Sequence, residues 1–223
     1  MSTHRIYQPE AAVSVQQLHH SIIEQRLSYS SILEELENYS LNLLRHYKVE
    51  NPAVTIEISN HHPELIAESP TVIFDSEMDL EDFQFTVAKA YGFEDWVAVE
   101  ALSTTKHDPA FEMAINILLS GHIQVLSDHL RQYPQVINQR SAYGHRAGLI
   151  HYLGSNGIEI WRQIVPSNLE ELLRVLVKAG ADPDMTANLY GKTNLLALLT
   201  TSDHAWKAKV AKPTIERLQT RVF

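Results

Sequence analysis

The chain has 223 residues, 44% of them hydrophobic, which is enough apolar surface for a sizeable core in one domain or two joined ones and too much for a disordered chain. A formal charge of -9 at pH 7 opposes broad neutralisation of phosphates or anionic head groups, so neither nucleic acid nor a membrane is expected as a partner. With no cysteine there are no disulfides, thiolate metal sites or cysteine nucleophile, and without an apolar leader or a run of ~20 apolar residues a cytoplasmic location is expected.

Glycine and proline are few, and leucine and alanine cluster in runs longer than a strand, which predicts a mostly α fold with a small β patch. From Ala11 to Tyr47, Leu18, Ile22, Tyr29, Leu33, Leu36, Leu43 and Tyr47 share one helical stripe. Ser28 to Ser31 is a poor helix interior, and Ser31 with Glu34 has the form of a capping box, so two helices are expected, ending before Asn51 and Pro52. Val54 to Ile58 alternates apolar and polar, and Thr71 to Phe74 is also β-prone, so the two are expected to pair as a short β-hairpin. His61 and His62 between them are read as exposed loop histidines.

The pattern changes at Asp79. Asp79 to Tyr91 predicts a helix with Gly92 as its left-handed stop, and Phe93 to Leu102 predicts its return. Asp108 as cap and Pro109 at the first helical position start the next pair, with Gly121 and His122 turning it and Ile123 to Leu130 returning. Gly121-His122 followed by Leu126, Leu130 and the Tyr143-Gly144 tip, then Leu172 to Asp184 with its Gly180-Ala181-Asp182 ending, then Gly191-Lys192-Thr193-Asn194-Leu195 resemble the ankyrin repeat. Asn194 stands where that family usually has proline. The distance from Gly144 to Gly191 exceeds the family's period of about 33 residues, and an insertion over 158–168 accounts for the excess. Together with Tyr91-Gly92-Phe93 and Trp96, these features are similar to a bacterial ankyrin subgroup.

The resemblance implies an ankyrin-type helical repeat stack over 79–223, in units of about 79–107, 108–143, 144–190 and 191–223 with atypical ends. It is preceded by a helical N-terminal region over 1–78. It also implies that His151 braces the tip backbone. Val210, Ile215, Leu218 and Val222 would form the last outer helix, whose uncapped face is expected to be open to homo-oligomer contact.

No two histidines lie three or four apart, Gly191-Lys192-Thr193 lacks the upstream glycine of a phosphate loop, and neither Gly-x-Gly-x-x-Gly nor Gly-x-Ser-x-Gly occurs. No catalytic residue, metal site or cofactor is therefore nominated. Lys207, Lys209, Lys212, Arg217 and Arg221 read as a solvated helix face. The expected function is a protein-protein interaction scaffold that binds a partner protein through finger tips, inner helices and the insertion. Tyr143, His145, Arg146, Tyr190 and Lys192 are expected at the tips, and Trp161, Arg162 and Gln163 in the insertion. For Trp161 the alternative is packing of the insertion, which a large stability loss on replacing Trp161 and Arg162 by alanine would reveal. From another class, the alternative is an enzyme with a metal or small-molecule site where the N-terminal region meets the repeats. A toxin or effector inhibitor is a special case of the scaffold.

Overall fold

The computed structural model describes residues 4–221 and 223 and is mostly helical. β1 (Ile6–Tyr7) leads into α1 (Glu10–Leu18) and α2 (His20–Gln25), which ends in a 3-10 turn over Arg26–Ser28. The break anticipated near Ser31 is present. Ser31 is extended and its hydroxyl accepts from Glu34 N at 3.1 Å, which starts α3 (Ile32–Tyr47). The return bond is shifted by one residue, because Ser30 N rather than Ser31 N donates to Glu34 Oε2, at 2.6 Å.

The expected hairpin does not form. Val54–Ile58 and Thr71–Phe74 lie in α4 (Val54–His61) and α5 (Pro70–Asp75). Val54, Thr55, Glu57 and Ile58 are buried together on a helical period, since α4 packs against α1 and against α6 (Leu80–Ala90). That packing overrides the β preference of Val, Ile and Thr. The sheet lies elsewhere: β1 pairs antiparallel with β2 (Val165–Pro166), Ile6 opposite Pro166 and Tyr7 opposite Val165. The histidine doublet is also not an exposed loop. His61 closes α4 half-buried, and His62 is buried with Nε2 3.6 Å from Asp82 Oδ1.

Asp79 caps α6 in a capping box with Asp82, and Gly92 at φ 78 turns the chain into α7 (Trp96–Glu100), which Asp95 caps. Asp108 and Pro109 start α8 (Pro109–Leu119), and Gly121 at φ 76 leads to α9 (Ile123–Gln132). Next come α10 (Leu149–Tyr152), α11 (Leu169–Lys178), α12 (Leu195–Thr201), α13 (Asp203–Lys207) and α14 (Ala211–Thr220). Asn194, the departure noted in the repeat motif, caps α12 by accepting from Ala197 N at 3.1 Å. From α8 onward the helices fall into two rows, α8, α10, α12 and α9, α11, α14, joined by the rungs α8 to α9, α10 to α11 and α12 to α14. Val210 and Leu218 are buried and Ile215 half-buried, while Val222 lies outside the described residues.

Two apolar cores result. One runs from Phe111 to Leu218 through the double row; the other joins α1–α7 and takes in Tyr143, Ile160 and Trp161 from beyond them. α6 lies across both α3 and α4, so the segments on either side of 78/79 share the first of these cores in sequence. Among the described residues no helix is long and apolar enough to cross a membrane.

Candidate functional site

Where the two cores meet, charged side chains are buried against one another. Arg162, 1% exposed, donates from Nη1 to Glu159 Oε1 at 2.9 Å and from Nη2 to Glu112 Oε2. Arg26 reaches the same Glu112 oxygen through Nε at 3.3 Å. His107 gives Nε2 to Glu35 Oε2 at 2.6 Å and faces Glu112 Oε1 with Nδ1 at 3.4 Å, so both ring nitrogens meet carboxylates and the ring is held as the cation. Burial opposes that charge, yet the two carboxylates outweigh it and push His107 up to about 9. Burial likewise raises the Glu112 carboxyl, but Arg162 and His107 overcome this and hold it well below the usual range.

Four of the residues singled out on the sequence belong to this junction and not to the surface. Tyr143 is fully buried: its hydroxyl donates to Glu35 Oε1 at 2.9 Å, and its ring meets Tyr91 edge-on at 4.6 Å. His145 accepts from Ala147 N on Nδ1 at 3.0 Å, which leaves the Nε2 proton facing Glu159 Oε2 at 3.5 Å. Both the Arg162 guanidinium, at 4.3 Å, and the Arg26 guanidinium, at 5.6 Å, lie over the Trp161 ring. The tip carrying Tyr143 is buried because it docks onto α6. Gly144 and Gly92 approach so closely that a Cβ on Gly144 would sit 2.4 Å from Gly92 O, and His145 N donates to Tyr91 O at 3.3 Å.

The other four lie outside. Arg146 and Lys192 are exposed on successive tips, Gln163 is half-buried, and Tyr190 is 74% exposed. The tips are joined to each other: Asn188 N donates to His145 O at 2.8 Å, and Ala187 and Thr193 form a bridge that closes the Tyr190 tip. His151 is buried; Nδ1 accepts from Gly148 N at 3.0 Å and Nε2 donates to Met185 O at 2.9 Å, bracing one tip to the next. Burial pushes its proton affinity down to about 4, against the pull of the Met185 carbonyl.

Gln163 and Tyr190 share a groove of about 340 Å³ between the α1–α4 surface and the segment 155–163, with Asp203 and His204 of α13 on the same wall. Its backbone is unusually shaped. Ser155, Gly157 and Tyr190 all have left-handed φ, at 46, 73 and 49, and non-glycine residues there store strain that tends to mark ligand sites. The Tyr190 ring covers Gly157, where a Cβ would lie 2.9 Å from it, and its hydroxyl donates to Asn156 Oδ1 at 3.0 Å. Asn156 in turn donates to Thr201 Oγ1 at 3.0 Å.

Three buried polar atoms among the groove's lining residues have no hydrogen-bond partner: Ser155 Oγ, His61 Nε2 and His204 Nδ1. Burial lowers the proton affinity of both imidazoles, so they are neutral near pH 7. Such atoms are not confined to the groove: at the ionic junction His145 Nε2, Glu159 Oε2, Trp161 Nε1 and Arg162 Nε are likewise buried without a hydrogen bond. Among the described residues no group of three His, Asp or Glu side chains could hold a metal ion.

Sequence reading missed Ser155, Asn156 and His204. Only the histidine doublet hinted at His61. The chain matches no family model, no curated protein and no solved structure.

Proposed function

We propose that this protein is an interaction scaffold of the ankyrin-repeat type, acting in the cytoplasm, which captures a partner protein through its tips and the groove beside Tyr190. The two helix rows, the linked tips and the His151 brace agree with the repeat reading drawn from the motifs. The observation that carries the binding reading is the groove itself: an exposed tyrosine in a strained tip, over buried polar atoms without partners. Arg146, Lys192, Tyr190 and Gln163 are the recognition residues in this reading. Tyr143, His145, Trp161 and Arg162 support it from beneath.

The junction network does not favour a catalytic reading. Its acids and histidines converge, but Glu35, His107, Glu112, Glu159 and Arg162 are buried and paired largely with one another, which supports a structural role for them.

The test is photo-crosslinking in cells with p-benzoylphenylalanine at position 190 and, as a control, at Val97, which is exposed on α7 away from the groove. A discrete protein adduct is expected from position 190 and not from 97. Tyr190→Ala should weaken capture of that protein by about 2 kcal/mol. Equal adducts at both positions, or none at 190, would sink the reading.

A further inference from the structure

We propose that Asn156 is a site of self-modification, converting to aspartate or isoaspartate without an enzyme, and that the Tyr190 tip and Thr201 form a latch that holds this conversion off. The proposal needs no partner and so stands apart from the scaffold reading.

The chemistry begins with the sequence. Asn156 is the only asparagine of the chain that precedes a glycine; the others precede Tyr, Leu, Pro, His, Ile or Gln. Closure of an asparagine side chain onto the next main-chain nitrogen is hindered by a side chain on that next residue, and glycine has none. Gly157 N gives its proton to water and bonds to Cγ of Asn156; the Cγ to Nδ2 bond breaks, and nitrogen leaves as ammonia with a proton from water. A cyclic imide remains. Water then adds to one of its two carbonyls. Opening at Cγ restores the main chain and gives aspartate, whereas opening at the α-carbonyl routes the main chain through Cγ and gives isoaspartate. The balance is one water consumed and one ammonia released, with no oxidant or reductant.

The local fold both exposes this dipeptide and restrains it. Asn156 and Gly157 are half-buried, so water reaches them, and the chain turns tightly there, with Ser155 at φ 46 and Gly157 at φ 73. The two ends of the carboxamide are tied to different elements. The Tyr190 hydroxyl donates to Oδ1 at 3.0 Å, and Nδ2 donates to Thr201 Oγ1, at the end of α12, also at 3.0 Å. The hydroxyl proton of Thr201 goes to Ala197 O at 3.1 Å, which fixes that oxygen as an acceptor. The Tyr190 ring covers Gly157 from the same side. With both atoms tied, the plane of the carboxamide is fixed, and Cγ cannot turn onto Gly157 N until the tip lifts.

Reaction in the folded chain therefore waits on local opening. The Tyr190 tip is closed by the Ala187 and Thr193 bridge and by Asn188 N on His145 O. A single hydrogen bond shifts an equilibrium by roughly two- to ten-fold, so the two on the carboxamide together slow the reaction about ten-fold. A hydroxyl on Oδ1 also polarises the carbonyl and favours attack, but here it is a neutral donor at a half-buried group, and the restraint outweighs it. The product is not neutral for the groove: a carboxylate at position 156 has no hydrogen to give Thr201, and isoaspartate lengthens the main chain inside the turn.

The test incubates the full chain, folded and in urea, at mildly alkaline pH in heavy-oxygen water, and follows every asparagine by peptide mapping and mass spectrometry. In urea, position 156 is expected to convert first. Folded wild type should convert there about ten-fold more slowly than in urea. Tyr190→Phe with Thr201→Val, which keeps the ring and the side-chain shape, should speed the folded chain at least five-fold at an unchanged unfolding temperature, and Tyr190→Phe alone, on the exposed tip, should give part of that gain. Asn156→Gln, whose longer side chain closes a ring less readily, should abolish conversion at this position. Equal rates folded and in urea, variants no faster than wild type, slower conversion in Tyr190→Phe, or another asparagine converting first in urea overturns the proposal.

Discussion

His107 and His151 are both buried, which disfavours the charged ring in each, yet their proton affinities move in opposite directions because different groups face them. Carboxylates on both nitrogens raise His107 to about 9 from 6.5, so the folded state holds its proton more tightly than the unfolded chain. Its contribution to stability is complete below pH 6.5 and is lost as pH rises through 9. His151, donating to one backbone carbonyl and accepting from one backbone amide, sits at about 4 and makes the fold lose stability as pH falls from 6.5 through 4. Thermal unfolding followed between pH 6.5 and 9 should show a declining Tm in the wild type and a flat, lower Tm in His107→Gln. An identical alkaline slope in both would rule out this account. At this scale the sequence was only partly readable. Glu35 and Glu112 fall on the apolar stripes of α3 and α8, beside Leu36 and Phe111, and a carboxylate on such a stripe signals a buried partner. Nothing local revealed that Tyr143, His145, Trp161 and Arg162 would be that partner's shell, since their burial depends on a docking between distant segments.

Among elements, the helix starts were the most legible feature, because Ser31, Asp79 and Asp108 announce them through side-chain caps that any short window contains. The hairpin was misread for the converse reason: Val54, Thr55, Ile56 and Ile58 express a β preference that is weak next to the burial α4 gains on α1 and α6. The Tyr143-Gly144 segment was expected as an exposed tip, and its seat against α6 was not anticipated. That seat has a steric basis that can be probed. A methyl group at Gly144 would meet Gly92 O at 2.4 Å, and both sides of the contact are main chain that cannot turn aside. Gly144→Ala should cost about 1 to 3 kcal/mol in chemical denaturation. Gly180→Ala, by contrast, meets nothing within 4 Å and bears only the strain of its φ of 102. A neutral Gly144→Ala would mean that the tip can lift from α6 at no cost.

For the whole molecule, the consequence is that two cores behave as one. Arg162 joins Glu159 of its own segment to Glu112 of α8, and Arg26, from the N-terminal core, reaches the same Glu112. A buried pair broken on one side leaves an uncompensated charge, so Arg162→Met should cost about 3 to 5 kcal/mol. Calorimetry is expected to show one transition for the wild type and, for Arg162→Met, two transitions or one much lower. A shift under about 1 kcal/mol would mean that the junction is incidental.

One side of the groove beside Tyr190 is formed by α1 and α4 and the other by 155–163 with the Tyr190 tip, and Ile160 of that second side packs into the N-terminal core with α1. Its width is therefore set by direct packing as well as by the buried ion pairs of the junction. An incoming partner meets a slot already shaped, and little ordering of the receptor is subtracted from the affinity. Discrimination should follow from fit at first encounter, and mutations that loosen the junction should show up as faster dissociation even though they touch no ligand.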